Sequence, residues 1–91
     1  MFYLVSYDIP DDKRRLKIAK TIKDFGDRVQ YSVFECILDA DLLEKMVDRL
    51  GKIVEEEEDS VRIYAMCAQC EKTIQIIGKG CVTEEQDVYI I

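Results

Sequence analysis

The sequence predicts an α+β fold in which two helices cover one face of a small antiparallel sheet. Two segments have the apolar spacing of amphipathic helices, and extended segments rich in β-branched and aromatic residues separate them. Elements in this order form a compact split βαβ sandwich. The chain has 91 residues, enough for one domain, which we assign to residues 1–91.

The first strand, residues 3–7, is nearly uncharged and is followed directly by a carboxylate, Asp8. Pro10 ends the strand because it has no N–H to donate, and Asp11 or Asp12 can cap the helix that follows. An acid at a strand end beside a cationic helix is suited to holding a divalent metal near a phosphate. The alternative is that Asp8 only caps a turn.

The first helix is predicted from about Asp12 to Phe25, with Gly26 ending it in the left-handed conformation. One side is apolar and the opposite side is basic. The basic side comprises Lys13, Arg14, Lys17 and Lys20. Arg15 falls inside the apolar arc at the first turn, so its head should reach along the sheet towards Asp8.

The segment from Arg28 to Leu38 reads as one extended stretch, although the sandwich requires two strands between its helices. A sharp bend near Ser32 would satisfy that requirement. Asp41 with Glu44 is a plausible capping box for the second helix. Its apolar stripe comprises Leu43, Met46, Val47, Leu50, Ile53 and Val54.

The C-terminal third contains further strand patterns, at residues 60–66 and 73–77. The final residues, 87–91, are apolar and strand-like, but no partner edge for them is apparent within the chain. Two helices leave the other face of the sheet uncovered. These features predict a dimer that packs face against face and exchanges its tails.

Cys67 and Cys70 form a C-x-x-C pair in the loop after the strand at 60–66. The pair resembles the metal-binding loop of copper chaperones, but that loop follows the first strand, so the late position disfavours a metal carrier. A thiolate site that added Cys36 and Cys81 would have irregular spacing. We interpret these residues as surface or structural cysteines.

Charge is unevenly distributed along the chain, whose net charge is −6. Residues 11–34 hold seven bases and four acids, a net of +3, whereas residues 35–60 hold three bases and ten acids, a net of −7. Such a protein can bind phosphates along one edge and repel them from another, which orients a polyanion. The alternative is that both are ordinary solvated faces.

The apolar stretches are far shorter than a membrane span, and the N-terminus lacks the layout of a signal peptide. Four irregularly spaced cysteines fit a reducing compartment. The sequence therefore predicts a cytoplasmic protein with no membrane partner.

Three blocks resemble the Cas2 family, the small subunit of the CRISPR adaptation module: residues 5–9 followed by a basic helix, residues 26–36, and residues 59–64. The resemblance implies a ferredoxin-like βαββαβ homodimer in which a C-terminal strand, about residues 80–91, is exchanged. It also implies association with the CRISPR integrase subunit during spacer acquisition. Members have been described as metal-dependent endonucleases acting on RNA or DNA.

Position by position, the resemblance makes Asp8 the Mg²⁺ ligand, facing the Asp8 of a second subunit, with Mn²⁺ as an alternative metal. It also implies roles in nucleic-acid binding around a groove. The residues so implied are Tyr7, Arg15, Arg28 and Phe34, together with Lys17, which stands where some members have Arg. Arg14 joins them as part of the basic side of the first helix. Phe34 also reads as a core residue, and Tyr7 as interface packing.

The sequence is compatible with three functions. The first is an adaptation subunit that is also a metal-dependent nuclease acting on single-stranded RNA or duplex DNA. The second is the same subunit acting as a non-catalytic dimeric scaffold for duplex DNA and the integrase. The third is a metal carrier or small-ligand module on this fold.

Overall fold

The computed structural model describes residues 1–84 and confirms the α+β class. Its elements are β1 (Phe2–Asp8), α1 (Asp12–Lys23), β2 (Asp27–Gln30), β3 (Val33–Ile37), α2 (Ala40–Gly51), β4 (Ser60–Met66) and α3 (Ala68–Glu71). The four strands form one antiparallel sheet in the order β2-β3-β1-β4. This is the ferredoxin-like βαββαβ arrangement, with β1 in the middle between β3 and β4.

The core lies between the sheet and the helices α1 and α2. Alternate residues of β1 and β3 point into it, among them Val5 and Phe34. The helices contribute a buried set comprising Ile18, Ile22, Met46 and Leu50. The apolar stripes predicted for both helices are therefore confirmed at their centres, but Val47, which was predicted in the stripe of α2, is exposed.

A tight turn at Tyr31 and Ser32 separates β2 from β3, which confirms the bend predicted near Ser32. The backbone N–H of Tyr7 donates to the carbonyl of Ser32 over 3.1 Å, so the turn is fastened to β1. The register shifts between Arg28 and Gln30, as it does at a β-bulge.

Two predicted helix ends are wrong. Asp39 caps α2, since its carboxylate accepts from the Leu42 N–H over 2.9 Å, and the helix starts before the proposed Asp41 and Glu44 box. At the end of α1, Gly26 does not adopt a left-handed conformation. Gly26 instead serves close packing, because a Cβ atom there would lie 2.3 Å from the carbonyl oxygen of Glu35.

The strand predicted at residues 73–77 is absent from the part of the chain that the structure describes. After β4 the chain forms the short helix α3 and then irregular structure, with Ile77 98 % exposed. The segment has the side chains of a strand but does not pair with either edge strand of the sheet, so it forms no backbone hydrogen-bond ladder. Further on, Thr83 is buried and donates through N–H and Oγ1 to a Glu35 carboxylate oxygen, at 3.1 and 2.9 Å. The strand predicted at 87–91 lies outside the described residues.

The second face of the sheet is free of α1 and α2. The register places on it Phe2, Leu4, Ser6 and Asp8 of β1 and Val33, Glu35 and Ile37 of β3. We call this set the open face. Within residues 1–84, no helix is both long and apolar enough to cross a membrane.

Candidate metal and nucleic-acid site

Asp8 is the last residue of β1 and lies exposed on the open face. Its Cα pairs with that of Ser60, the first residue of β4. Among residues 1–84, no hydrogen bond or ion pair occupies the Asp8 carboxylate. Asp11, not Asp8, caps α1, accepting from the Arg14 N–H over 2.9 Å. The Asp8 carboxylate is therefore available to a cation.

Arg15 reaches the end of β1, in the direction that its helical position predicts. Its Nη1 donates to the carbonyl of Ile9 over 2.9 Å, one residue beyond Asp8. Its Nη2 pairs with Asp12 across the first turn of α1. Arg15 remains exposed, so part of its guanidinium is open to solvent.

Arg14 belongs to a partly buried ion pair and not to a free basic edge. Its Nε lies 2.8 Å from an Asp59 carboxylate oxygen, and its Nη2 lies 2.7 Å from Glu58. The Asp59 side chain is 0 % exposed and also accepts from the Glu55 N–H. This pairing ties the start of α1 to the residue before β4, beside the strand end that carries Asp8.

The pairing has opposite effects on the two partners. Hydrogen bonding from Arg14 lowers the pKa of Asp59, and the two carboxylates raise the pKa of Arg14. Because the pKa of Asp59 is lower in the folded chain, its stabilising contribution is present above the pKa of the unfolded residue. That contribution is lost as the pH falls through the lower value.

Arg28, Tyr7 and Phe34 form a second group, on the helix side of the sheet. The Arg28 Cζ lies 5.3 Å from the Phe34 ring centroid, and its Nη2 donates to the Tyr7 hydroxyl over 3.1 Å. Phe34 is only 1 % exposed, and Tyr7 is also buried, with ring centroids 6.3 Å apart. Of these three residues, Arg28 alone is exposed to solvent, and its guanidinium packs over the Phe34 ring and donates to the Tyr7 hydroxyl.

The structure thus divides the predicted site. Asp8 lies on the open face and Arg15 near the same strand end, whereas Tyr7, Arg28 and Phe34 lie on the other side, since successive residues of a strand alternate. Lys17 is exposed on α1 and makes no ion pair within the described residues. The sequence interpretation missed two residues, Asp59 as the partner of Arg14 and Tyr31 at the hairpin tip.

The two missed residues differ in the signal that they leave in the sequence. Asp59 belongs to the acidic run 55–59, which looks like a solvated segment, and its partner is 45 residues away. No local pattern reveals such a pair. Tyr31, in contrast, lies beside Ser32, where the bend was predicted, so a tip position could have been inferred for it.

The four cysteines are free thiols in very different surroundings. Cys67 caps α3, and its Sγ accepts from the Cys70 N–H over 3.4 Å, which lowers the pKa of the Cys67 thiol. Burial raises the pKa of Cys36 to about 12. Residues 1–84 contain no group of three or more His, Cys, Asp or Glu side chains placed to hold a metal ion.

These surroundings predict a fixed order of thiol reactivity. At mildly alkaline pH, Cys67 is expected to be alkylated first, because the thiolate is the nucleophile, and Cys36 is expected to stay unmodified until the protein is unfolded. Timed iodoacetamide labelling with peptide mass spectrometry measures the order. Cys67→Ser should remove the fastest modification. Labelling of Cys36 in the native protein at the rate of Cys67 would contradict the expected order.

The fold and the site define a small ferredoxin-like protein with a free carboxylate at the end of its central strand and exposed cations beside it. The family model of CRISPR associated protein Cas2 matches residues 1–74. The chain belongs to this family, which confirms the resemblance drawn from its three sequence blocks.

Similar proteins cover most of the chain. CRISPR-associated endoribonuclease Cas2 1 of Chloroflexus aurantiacus is 50 % identical, over 100 % of both chains. The crystal structure of Streptococcus pyogenes Cas2 has a TM-score of 0.75 and 34 % identity, covering 86 % of this chain and 100 % of its own. A chain of a partial Cas6-RT-Cas1–Cas2 complex has a TM-score of 0.74 and 29 % identity, covering 84 % and 89 %.

Proposed function

We propose that this chain is the small subunit of a CRISPR adaptation module and a metal-dependent endonuclease that hydrolyses phosphodiester bonds. The observation that carries the proposal is the free Asp8 carboxylate at the end of β1, in a chain of the Cas2 family. The relative from Chloroflexus aurantiacus is named an endoribonuclease, which supports RNA as a substrate, and we propose the single-stranded form. Duplex DNA is the second substrate proposed.

The proposed assembly is a homodimer that binds the integrase subunit. The similar chain in the Cas1–Cas2 complex supports an integrase partner. For the homodimer, the support is the open face, where no helix covers the half-buried Leu4, Val33 and Ile37, although Phe2 on the same face is already buried within the chain. Exchange of the tail, residues 80–91, between subunits would add a strand to a free sheet edge. A cytoplasmic location stays a prediction from the sequence.

The residues present fit a divalent cation of the Mg²⁺ or Mn²⁺ type. Such an ion is commonly held by one or two carboxylates and several waters, and Asp8 supplies one free carboxylate per chain. The bound ion would supply charge stabilisation at the phosphate and a more acidic water. In the dimer, the two Asp8 residues would both contribute.

The phosphates of the substrate would be bound by exposed cationic side chains of this chain. Arg15 is held at the strand end by the Ile9 carbonyl, so its free donors can bind a phosphate oxygen near Asp8. Arg28 is fixed on Phe34 and Tyr7 and can bind a second phosphate on the other side of the sheet. Lys17 adds a point charge along α1.

A non-catalytic scaffold is the second candidate function. The observation that favours it is the sparse equipment for catalysis: the sequence contains no His, and the described residues offer no cluster of three ligands. The same absence of a ligand cluster in residues 1–84 gives no support to a metal carrier.

A cleavage assay separates the candidates. The purified full-length protein is incubated with end-labelled single-stranded RNA or duplex DNA, in the presence of Mg²⁺, Mn²⁺ or EDTA. The nuclease proposal expects internal cleavage that requires the metal. No cleavage of either substrate, with duplex binding retained, would select the scaffold. Cleavage that persists in EDTA would contradict metal dependence.

The dimer proposal is tested at the open face. Leu4→Asp would place a charge in the face-to-face contact, so the variant is expected to be monomeric in multi-angle light scattering at a concentration where the wild type is a dimer. Val47→Asp, at an exposed position of α2, is the matched control and should remain dimeric. Deleting residues 88–91 should weaken the dimer if the tails exchange. A monomeric wild type would refute the assembly.

The basic edge is tested with two substitutions on α1. Lys17→Ala should weaken duplex DNA binding and flatten the slope of log affinity against log salt by about 0.9, one phosphate contact. Arg14→Ala should mainly lower the thermal unfolding midpoint, because Arg14 is committed to Asp59. The triple change of Arg14, Arg15 and Lys17 to Ala should reduce binding without altering sequence preference. An unchanged salt slope in the triple variant would remove this edge from the interface.

A further inference from the structure

The tip of the β2–β3 hairpin presents an aromatic ring to solvent. Tyr31 is 94 % exposed, although most tyrosines of a small domain bury the apolar part of the ring. It borders a shallow depression lined by Arg28, Val29, Gln30 and Ser32. The depression therefore combines an exposed ring, an exposed aliphatic side chain and one guanidinium.

The backbone beneath this ring is fixed by a buried residue. The hydroxyl of Tyr7 donates to the Tyr31 carbonyl over 3.1 Å, and the N–H of Tyr7 donates to the Ser32 carbonyl over 3.1 Å. Tyr7 itself belongs to the core and lies against Phe34. The turn is thus held at two points while the Tyr31 ring stays free, which keeps the ordering cost of a stacking contact low.

The Tyr7 hydroxyl that binds the Tyr31 carbonyl also accepts a hydrogen bond from Arg28. Arg28 Nη2 donates to the Tyr7 hydroxyl over 3.1 Å, and its guanidinium lies over Phe34. Among the described residues, no acid forms an ion pair with Arg28. Its remaining N–H groups are available to an anion, and they lie at the edge of the depression that Tyr31 borders.

We infer that Tyr31 is a base-stacking residue that gives this chain a preference for single-stranded nucleic acid. An unpaired base stacks on the Tyr31 ring while Arg28 binds a neighbouring phosphate. A base inside a duplex has both faces covered by its neighbours and cannot use the ring. The inference deepens the proposed function, on which it rests, by naming the residue that selects the substrate.

Charge and chemistry favour this occupant over a protein surface. Among the described residues no acid pairs with the Arg28 guanidinium of this depression, so the depression is suited to an anion although the net charge of the chain is −6. A rigid aromatic ring beside a guanidinium offers the two contacts that one nucleotide needs, a stacking surface and a phosphate donor. Neither contact depends on the base identity, so stacking should be tolerant of sequence.

The test measures binding without cleavage. Fluorescence anisotropy of labelled oligo(U), oligo(dT) and a DNA duplex is recorded in EDTA with wild type and Tyr31→Ala. Loss of one stacking contact is expected to weaken single-strand binding by roughly tenfold, with duplex affinity changed by less than about twofold. Tyr31→Phe and Tyr31→Trp should retain binding. Val47→Ala, an exposed apolar position on α2, is the matched control and should bind as the wild type does.

Two further oligonucleotide comparisons test whether the contact is base stacking. An oligo(U) with abasic sites should lose affinity for the wild type but not for Tyr31→Ala. Comparing oligo(U) with oligo(dT) shows whether the strand is RNA or DNA. Equal losses on single strands and duplex, unchanged binding, or a monomeric Tyr31→Ala protein in light scattering would overturn the inference, the last by making Tyr31 a subunit contact.

These outcomes are separate from those of the nuclease proposal. Weaker single-strand binding of Tyr31→Ala in a protein that cleaves nothing would support the inference and reject the nuclease. Metal-dependent cleavage with unchanged binding of Tyr31→Ala would support the nuclease and reject the inference.

Discussion

Replacing Asp8 with Asn is expected to abolish metal-dependent cleavage while leaving the fold and the dimer intact. Asn keeps the size of the side chain and an oxygen, but it loses the charge that holds a divalent cation. The position is exposed at the end of β1, and no described residue uses its carboxylate, so folding loses no ion pair. Cleavage of single-stranded RNA, circular dichroism and light scattering measure the three properties.

Asp41→Asn is the matched control, because Asp41 is an exposed acid in the first turn of α2 and forms no ion pair within the described residues. The Asp41→Asn protein should cleave single-stranded RNA as the wild type does. Cleavage retained by Asp8→Asn, together with a large drop in its unfolding midpoint, would make Asp8 a structural residue and reject its assignment as the metal ligand.

Gly26→Ala is expected to destabilise the fold strongly. The added Cβ would lie 2.3 Å from the Glu35 carbonyl oxygen, 2.5 Å from the Cys36 Sγ and 2.9 Å from the Cys36 Cα. Two of these neighbours are backbone atoms of β3, so relief requires the connection between α1 and β2, which contains Gly26, to move away from β3. We expect the free energy of unfolding to fall by about 3 kcal/mol, the upper range for overpacking a core.

Gly51→Ala is the internal control, since a Cβ at Gly51 would meet no atom within 4 Å. At the last residue of α2, Ala should raise stability by about 0.5 kcal/mol through helix propensity. Urea unfolding at fixed protein concentration measures both variants, because dimerisation makes apparent stability depend on concentration. Equal stabilities of the two variants would show that β3 yields more easily than the packing implies.

The sequence predicts most of the fold because its elements carry strong periodic patterns. β4 is confirmed residue for residue, and α1 begins at the predicted Asp12. One error arose because two carboxylates could cap α2, and Asp39 caps it in place of Asp41. Another arose because the predicted strand at 73–77 has no sheet edge to pair with. Local patterns contain neither type of information.

The site was predicted less completely, for a physical reason that particular residues illustrate. Arg15 could be placed because it lies in the first turn of α1, the helix that directly follows the strand end that Arg15 reaches. The Arg14 and Asp59 pair joins distant parts of the chain, so a basic side on α1 was read as free although one of its members is paired. Tyr7 and Asp8 are adjacent in sequence but on opposite faces of the sheet, which separates two groups that the family resemblance treats as one.

The strand order also has a consequence for synthesis on the ribosome. β1 emerges first but lies in the middle of the sheet, between β3 and β4. By the time residue 37 has emerged, β1, α1, β2 and β3 can assemble, yet one edge of β1 still lacks its partner. That edge is covered only when residues 60–66 arrive, after α2 and the acidic run. The nascent chain therefore carries an unpaired edge through nearly a third of its translation, and that interval is when it is most exposed to pairing with another chain.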